Sequence, residues 1–279
     1  MELGQFQELI VVKQTDFGIY LADEIDSEDK VLLPIKQVPR GTKRGDKLRV
    51  FLYRDSKDRI IATTNTPKIE VGGFAMLKVK EVTEIGAFLD WGLERDLLLP
   101  YKEQTTKVRA GRSYPVCLYV DKTGRLAATM KLYHRLKLNP PYTSDDHIEG
   151  VVYEISDEHG AYVMLDYEYT GLLPLKEMHG KIRVGDTFTF RIVNVRDNGK
   201  VDLSLKEKAY VQMDKDAAMI MDAIMSYDGE LPFNDKADPS VIDEEFGISK
   251  AAFKRAVGRL LKQGLIIINE ETITTKGDI

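Results

Sequence analysis

Residues Glu149–Lys206 read EGVVYEISDEHGAYVMLDYEYTGLLPLKEMHGKIRVGDTFTFRIVNVRDNGKVDLSLK. Within this stretch Gly160 is followed two residues on by Tyr162, then by Leu172-Leu173-Pro174, then by Gly185. The same arrangement occurs twice upstream. Gly18, Tyr20, Leu32-Leu33-Pro34 and Gly45 form one copy; Gly86, Phe88, Leu98-Leu99-Pro100 and Gly111 form another. The second glycine lies 11 residues beyond the proline in every copy. The first glycine precedes the proline by 14 residues in copies two and three and by 16 in copy one, whose extra pair falls in the acidic stretch Asp23–Asp29. A fixed-offset repeat of this kind organises a chain before any local structure is considered.

Each copy alternates apolar and polar residues with period two, the signature of half-buried strands. After the second glycine, Phe188, Phe190 and Ile192 alternate with Thr187, Thr189 and Arg191; Leu48, Val50 and Leu52 match them in copy one, and Tyr114, Val116 and Leu118 in copy two. A turn then leads to a last strand at Ile60–Thr63, Leu126–Thr129 or Val201–Leu205. Asn198-Gly199 predicts a two-residue hairpin, since both residues tolerate positive φ. Five short strands in roughly 60 residues predict an OB-type barrel, and three copies predict three barrels in series. Pro140-Pro141 and the polar Thr143–Asp146 read as a linker before the third. The expected organisation is barrel one at 1–66, barrel two at 67–138, a linker at 139–146, barrel three at 147–210 and a separate module at 211–279.

In that tail the period changes after Lys208 from two to 3.6. Ala217, Ile220, Met221, Ile224 and Met225 mark an amphipathic helix stopped at Asp228-Gly229. Asp238-Pro239-Ser240 opens a second helix closed by Gly247, and Ser249 caps a third with apolar positions Phe253, Val257, Leu260 and Leu261. A hairpin of Leu265–Ile268 and Thr272–Thr274 completes a winged-helix pattern. The fold class is therefore mainly β, three tandem OB-fold barrels followed by an α+β winged helix.

Charge narrows the functions. Basic residues number 40 and acidic residues 45, for a net charge of −5. No segment is a basic block of the kind that binds duplex DNA by charge alone. Local concentration exists on the third tail helix, where Lys250, Lys254, Arg255, Arg259 and Lys262 stand with no acid between Ser249 and Asn269. Such a helix suits phosphate, although winged helices also dock proteins and the wing residues Glu270 and Glu271 would repel a DNA backbone. The cluster Arg40, Lys43, Arg44, Lys47 and Arg49 reads as a solvated face. One cysteine, Cys117, excludes an intrachain disulfide, and four scattered histidines cannot form a zinc site with it. Glycine-rich phosphate loops, His-Glu-x-x-His and Gly-x-Ser-x-Gly are absent from the sequence, so no catalytic residue, metal or cofactor is expected. The opening MELGQFQELI has no basic segment before an apolar stretch, and no apolar run approaches a membrane span, so a cytoplasmic protein without membrane contact is expected.

The third copy resembles the S1-type RNA-binding domain. Gly150-x-Val152, Gly160-Ala161-Tyr162-Val163, Gly171-Leu172-Leu173, Val184-Gly185-Asp186 and Leu203-Ser204-Leu205-Lys206 carry the resemblance. It implies that Tyr20, Phe88 and Tyr162 are stacking aromatics, with Phe17, Ile85 and His159 at the position before the glycine. The family's histidine after the Gly-Leu-Leu element is proline in all three copies (Pro34, Pro100, Pro174), a departure that weakens any single barrel. Asp-plus-basic pairs follow at Asp55/Arg59, Asp121/Arg125 and Asp197/Lys200. An aromatic on strand two can also pack beneath a loop; three at one offset favour stacking. Nucleic-acid contacts are expected at Tyr20, Phe88, His159, Tyr162, Arg191 and Lys200 in the barrels, and at Lys250, Lys254, Arg255 and Arg259 in the tail.

Three such barrels with Leu231-Pro232-Phe233-Asn234-Asp235-Lys236 and Phe246-Gly247-Ile248-Ser249-Lys250-Ala251-Ala252-Phe253-Lys254-Arg255-Ala256 resemble the conserved virulence factor B family of bacterial proteins. That resemblance implies an RNA-binding protein influencing gene expression, virulence genes among them in some pathogens. The main expectation is a non-catalytic binder of single-stranded RNA. The alternatives are a DNA-binding regulator acting through the winged helix and an adaptor for ribosome or nuclease proteins.

Overall fold

The computed structural model describes residues 1–178, 180–206 and 209–276; the expected change of period at Lys208 falls outside them. Met1–Leu205 form one compact unit and the chain from Lys206 a second. The first barrel consists of β1 (Phe6–Thr15), β2 (Gly18–Ala22), β3 (Val31–Pro34), β4 (Lys47–Arg54) and β5 (Ile60–Thr63), closed in the order β1-β2-β3-β5-β4. The third repeats that order with β11 (His147–Ser156), β12 (Gly160–Leu165), β13 (Tyr169–Pro174), β14 (Thr187–Val195) and β15 (Val201–Ser204).

The second has β6 (Phe74–Thr83), β7 (Gly86–Asp90), β8 (Leu97–Pro100), β9 (Ser113–Val120) and β10 (Leu126–Thr129) in an open sheet, β10-β9-β6-β7-β8. The short parallel pairing that closes its siblings, Leu32 with Ile61 and Gly171 with Val201, has no counterpart between β8 and β10. Barrel two is nearly closed rather than closed.

The glycine that opens strand two in each copy has a steric cause. A Cβ on Gly18, Gly86 or Gly160 would lie 2.1–2.3 Å from the carbonyl oxygen of Leu33, Leu99 or Leu173. Only glycine allows that approach, which pairs Tyr20 with Leu32, Phe88 with Leu98 and Tyr162 with Leu172. The hairpin before the last strand departs from expectation. Only Gly199 has positive φ, and Arg196 N–H donates to the Lys200 carbonyl while Gly199 N–H donates to that of Arg196. This is a type I turn followed by a left-handed residue, a three-residue loop. Asp58 and Gly124 play the same part in copies one and two. Arg196, not Asp197, thus stands where Asp55 and Asp121 stand, so the third Asp-plus-basic pair does not exist.

The barrels are fused rather than strung. Phe51 and Tyr53 alternate with the inward Val50 and Leu52, and they pack beside Trp91, Leu97 and Leu118 of barrel two. Phe51 meets the Trp91 ring edge-on at 5.9 Å. Cys117 does the same at the second joint, fully buried with Leu132, Leu136, Val151, Tyr153 and Met164. Burial pushes its thiol up, so it serves packing rather than nucleophilic chemistry. The 139–146 segment is equally anchored: Asn139 N–H donates to the Gly199 carbonyl, Asp145 N–H to that of Ile192, and Ile192 N–H returns to Asp146.

The second unit comprises α1 (Ala209–Ser226), β16 (Glu230–Leu231), α2 (Pro239–Phe246), α3 (Lys250–Lys262), β17 (Ile266–Ile268) and β18 (Ile273–Thr275). Asp238 and Ser249 cap α2 and α3 as expected, each side chain accepting a backbone N–H. The short β16 joins the wing as a third strand, in the order β16-β18-β17. Leu261 and Met225 are exposed, and Ala256 takes the core position assigned to Leu261. At about 100° per residue, Leu261 lies roughly 80° around the helix from Phe253, at the margin of the buried stripe. Among the described residues no helix is long and apolar enough to cross a membrane, and no group of acids, histidines and cysteine could hold a metal ion.

Candidate nucleic-acid interface

Tyr162 stands half-buried on the outer face of β12. A cavity of about 270 Å³ opens beside it, lined also by His159, Lys200, Arg196, Asp202 and Tyr133. The structure thus brings together three of the expected residues, Tyr162, His159 and Lys200. Tyr133 is an addition the sequence pattern does not single out: it comes from the segment that leaves barrel two, yet its ring meets Tyr162 edge-on at 5.4 Å. The Lys200 ammonium lies 5.8 Å from the Tyr133 ring centroid, within cation–π range. Its ammonium has no ion-pair partner among the described residues. Arg196 is engaged, its guanidinium bridging both oxygens of Asp202 at 2.6 and 2.8 Å.

Beneath these rings lies a packed floor. Tyr153 is fully buried, its ring 6.1 Å from that of Tyr162 and its hydroxyl 2.9 Å from Thr170 Oγ1; burial pushes its phenol up. The exposed His159 ring shares a hydrogen bond with Ser156 Oγ at 3.2 Å. Two half-buried rings, an imidazole and an ammonium without an ion-pair partner among the described residues surround one cavity. This is the combination of groups that single-stranded nucleic-acid sites use, rings for base stacking and cations for phosphate.

The other barrel aromatics have different surroundings. Phe88 lines a cavity of about 240 Å³ whose wall is barrel one, through Tyr53, Arg54 and Asp58. The cation of that face, Arg125, is spent on Asp58, its Nη2 3.0 Å from Oδ2. Its hydrogen bond holds the Asp58 carboxyl below the usual range. Arg54 and Arg95 fasten the same joint by donating to the carbonyls of Gly124 and Asp55. Tyr20 is half-buried with Phe17 edge-on at 6.3 Å and Lys30 5.8 Å from its ring centroid, while Arg59 is held by Asp55. Arg191 is not part of the Tyr162 cavity. Its guanidinium sits 3.2 Å from Asp145 and ties the 139–146 segment to β14.

On α3 the expected cations divide. The Lys250 ammonium donates to the carbonyls of Lys236 and Ala237 at 3.0 and 2.7 Å, and Lys254 stands 3.7 Å from Asp235. Arg255, Arg259 and Lys262 line a shallow depression on the outer side of the helix with Gly258 and Gln263. Asn234 braces the wing by donating to the carbonyls of Asn269 and Glu270.

Fold and surface together define a class, a protein of S1-type nucleic-acid-binding barrels joined to a winged helix. The S1 domain family matches residues 3–65 and 71–131, the S1 RNA binding domain family residues 142–206, and the CvfB-like winged helix domain family residues 218–274. A Bacillus subtilis (strain 168) protein called YitL is 31% identical over 276 residues, covering 95% of this chain and 91% of that one. Conserved virulence factor B of Staphylococcus aureus (strain N315) is 32% identical over 248 residues, 84% and 81% of the two chains. The chain belongs to the conserved virulence factor B family. It also shares its fold with a Streptococcus pneumoniae TIGR4 crystal structure described as a multidomain protein with nucleic acid binding domains, at a TM-score of 0.53, 23% identity and 98% coverage of both chains. No catalytic family appears among these matches.

Proposed function

We propose that this protein is a non-catalytic binder of single-stranded RNA that acts in the cytoplasm and regulates gene expression after transcription. The observation that carries this reading is the Tyr133–Tyr162 pair with Lys200 and His159 around one open cavity on barrel three. Stacking of unpaired bases on such rings is tolerant of sequence and needs no groove. The exposed Arg255 and Lys262 of α3 supply further phosphate contacts. Arg191 and Lys250, occupied by Asp145 and by two carbonyls, are assigned to holding the fold.

A second reading, a duplex-DNA regulator using α3, draws support from the depression lined by Arg255, Arg259 and Lys262. The acidic Glu270 and Glu271 in the wing weigh against it. Competition between a single-stranded oligoribonucleotide and duplex DNA at matched salt separates the two. Preference for the single strand is expected; tighter binding of the duplex overturns the RNA reading.

A further inference from the structure

The loop before β9 and its counterpart before β14 face each other where barrels two and three meet. Lys107, Arg109 and Arg112 from one side and Lys181 and Arg183 from the other line a single cleft of about 400 Å³. Copy-to-copy register explains the convergence. Lys107 and Lys181 stand four residues before Gly111 and Gly185, and Arg109 and Arg183 stand two before them. Copy three retains Asp186 after its glycine, accepting the Arg183 N–H at 2.8 Å, whereas copy two carries Arg112 there. That exchange removes an acid and adds a cation. Arg112 reaches Asp186 at 4.0 Å, and none of the described residues that line the cleft is an acid. Among the described residues Lys107, Arg109, Lys181 and Arg183 make no side-chain ion pair.

Five cations around one concavity repel one another in a chain whose net charge is −5. A concave site of one sign concentrates ligands of the other. We infer that this cleft binds the phosphodiester backbone of the RNA strand whose bases stack at Tyr133 and Tyr162. The inference rests on the RNA reading of barrel three. The two sites flank β11: Glu154, paired with Tyr162, borders the depression beside Tyr133 and Tyr162, and Ile155, on the opposite face of the strand, lines the cleft, so an RNA strand that serves both crosses β11. The cleft supplies charge and no ring that could stack on a base, apart from Tyr114, which is buried. It therefore reads phosphate spacing and not sequence.

The test uses the full chain and a labelled single-stranded oligoribonucleotide of about 20 nucleotides, long enough to span more than one barrel. In the variant Lys107→Gln/Arg109→Gln/Lys181→Gln/Arg183→Gln, the slope of log K against log salt flattens by roughly 0.7 for each phosphate no longer neutralised. Two such phosphates correspond to binding about 25-fold weaker at 0.1 M salt. Arg112 is left intact because it meets Asp186 across the joint. The charge-preserving variant Arg109→Lys/Arg183→Lys retains the parent slope, which separates charge from loop damage. If the neutral variant keeps the parent affinity and slope while Tyr162→Ala weakens binding, the cleft assignment is overturned and the RNA reading stands. If the parent itself does not bind the oligonucleotide, both fall.

Discussion

Phe88 and Tyr162 occupy the same position in two copies of one repeat, paired across the same strands with Leu98 and Leu172. Their neighbours set them apart. Barrel one walls the Phe88 cavity and takes Arg125 into an ion pair with Asp58, so that face holds a protein joint. On barrel three the segment leaving barrel two adds a second ring, Tyr133, and Lys200 keeps its charge. Equivalent residues thus border a domain joint in one copy and a cavity with a second ring and an unpaired cation in the next. What differs is which surface each face meets.

The largest expected effect contrasts the two aromatics. Tyr162→Ala loses ~1–3 kcal/mol of single-stranded RNA affinity with the salt slope unchanged. Phe88→Ala leaves affinity at the parent level. Fluorescence titration of both variants measures this, and equal losses would erase the distinction between the faces. Circular dichroism of each variant confirms that it is folded.

The cations sharpen the same contrast. Lys200→Gln flattens the slope of log K against log salt by roughly 0.7, about fivefold in affinity at 0.1 M salt. Arg125→Gln leaves the slope alone, because its charge is already neutralised by Asp58.

Asp58→Asn tests the converse by releasing Arg125. The slope then steepens, by at most ~0.7 on a single strand, as barrel two regains a cation. The same pair has a pH signature. Its depressed carboxyl value means that stability from the pair is present above about pH 4, the ordinary carboxylate range, and is lost as the pH falls through the lower folded value. Thermal unfolding of parent and Asp58→Asn should differ at neutral pH and converge in acid.

Within the winged helix the contrast is between an occupied and an open cation, and the effect is smallest. Lys250→Ala removes the ammonium that holds the carbonyls of Lys236 and Ala237, lowering stability on the order of 1 kcal/mol with the salt slope unchanged. Arg255→Ala leaves stability alone and flattens the slope. A single salt titration and a melting curve for each variant distinguish the roles.

Much of the fold was legible because it depends on neighbours close in sequence. The strand-two glycines, the period-two strands, the Asp238 and Ser249 caps and the Gly247 stop each answer to contacts within one repeat or one turn. Even the fused joints left a trace: Phe51, Tyr53, Cys117, Val151 and Tyr153 are apolar out of phase with the inward residues beside them. A strand with both faces apolar must be covered twice, although the pattern does not name the cover.

Spacing and periodicity alone thus carried the repeat, the barrel and winged-helix classes, and the aromatic at one offset in every barrel. Which aromatic faces a neighbouring barrel, and which stands beside a second ring and an unpaired cation, followed from the packing of the copies. Arg95 reaches Asp55 across 40 residues and Arg125 reaches Asp58 across 67, and Tyr133 borders a face that begins in the next copy. The same packing set Lys107 and Arg109 opposite Lys181 and Arg183. Periodicity reports which way a side chain points from its own strand. Which charge meets a carboxylate and which remains open depends on how the copies pack, and that is written in no single repeat.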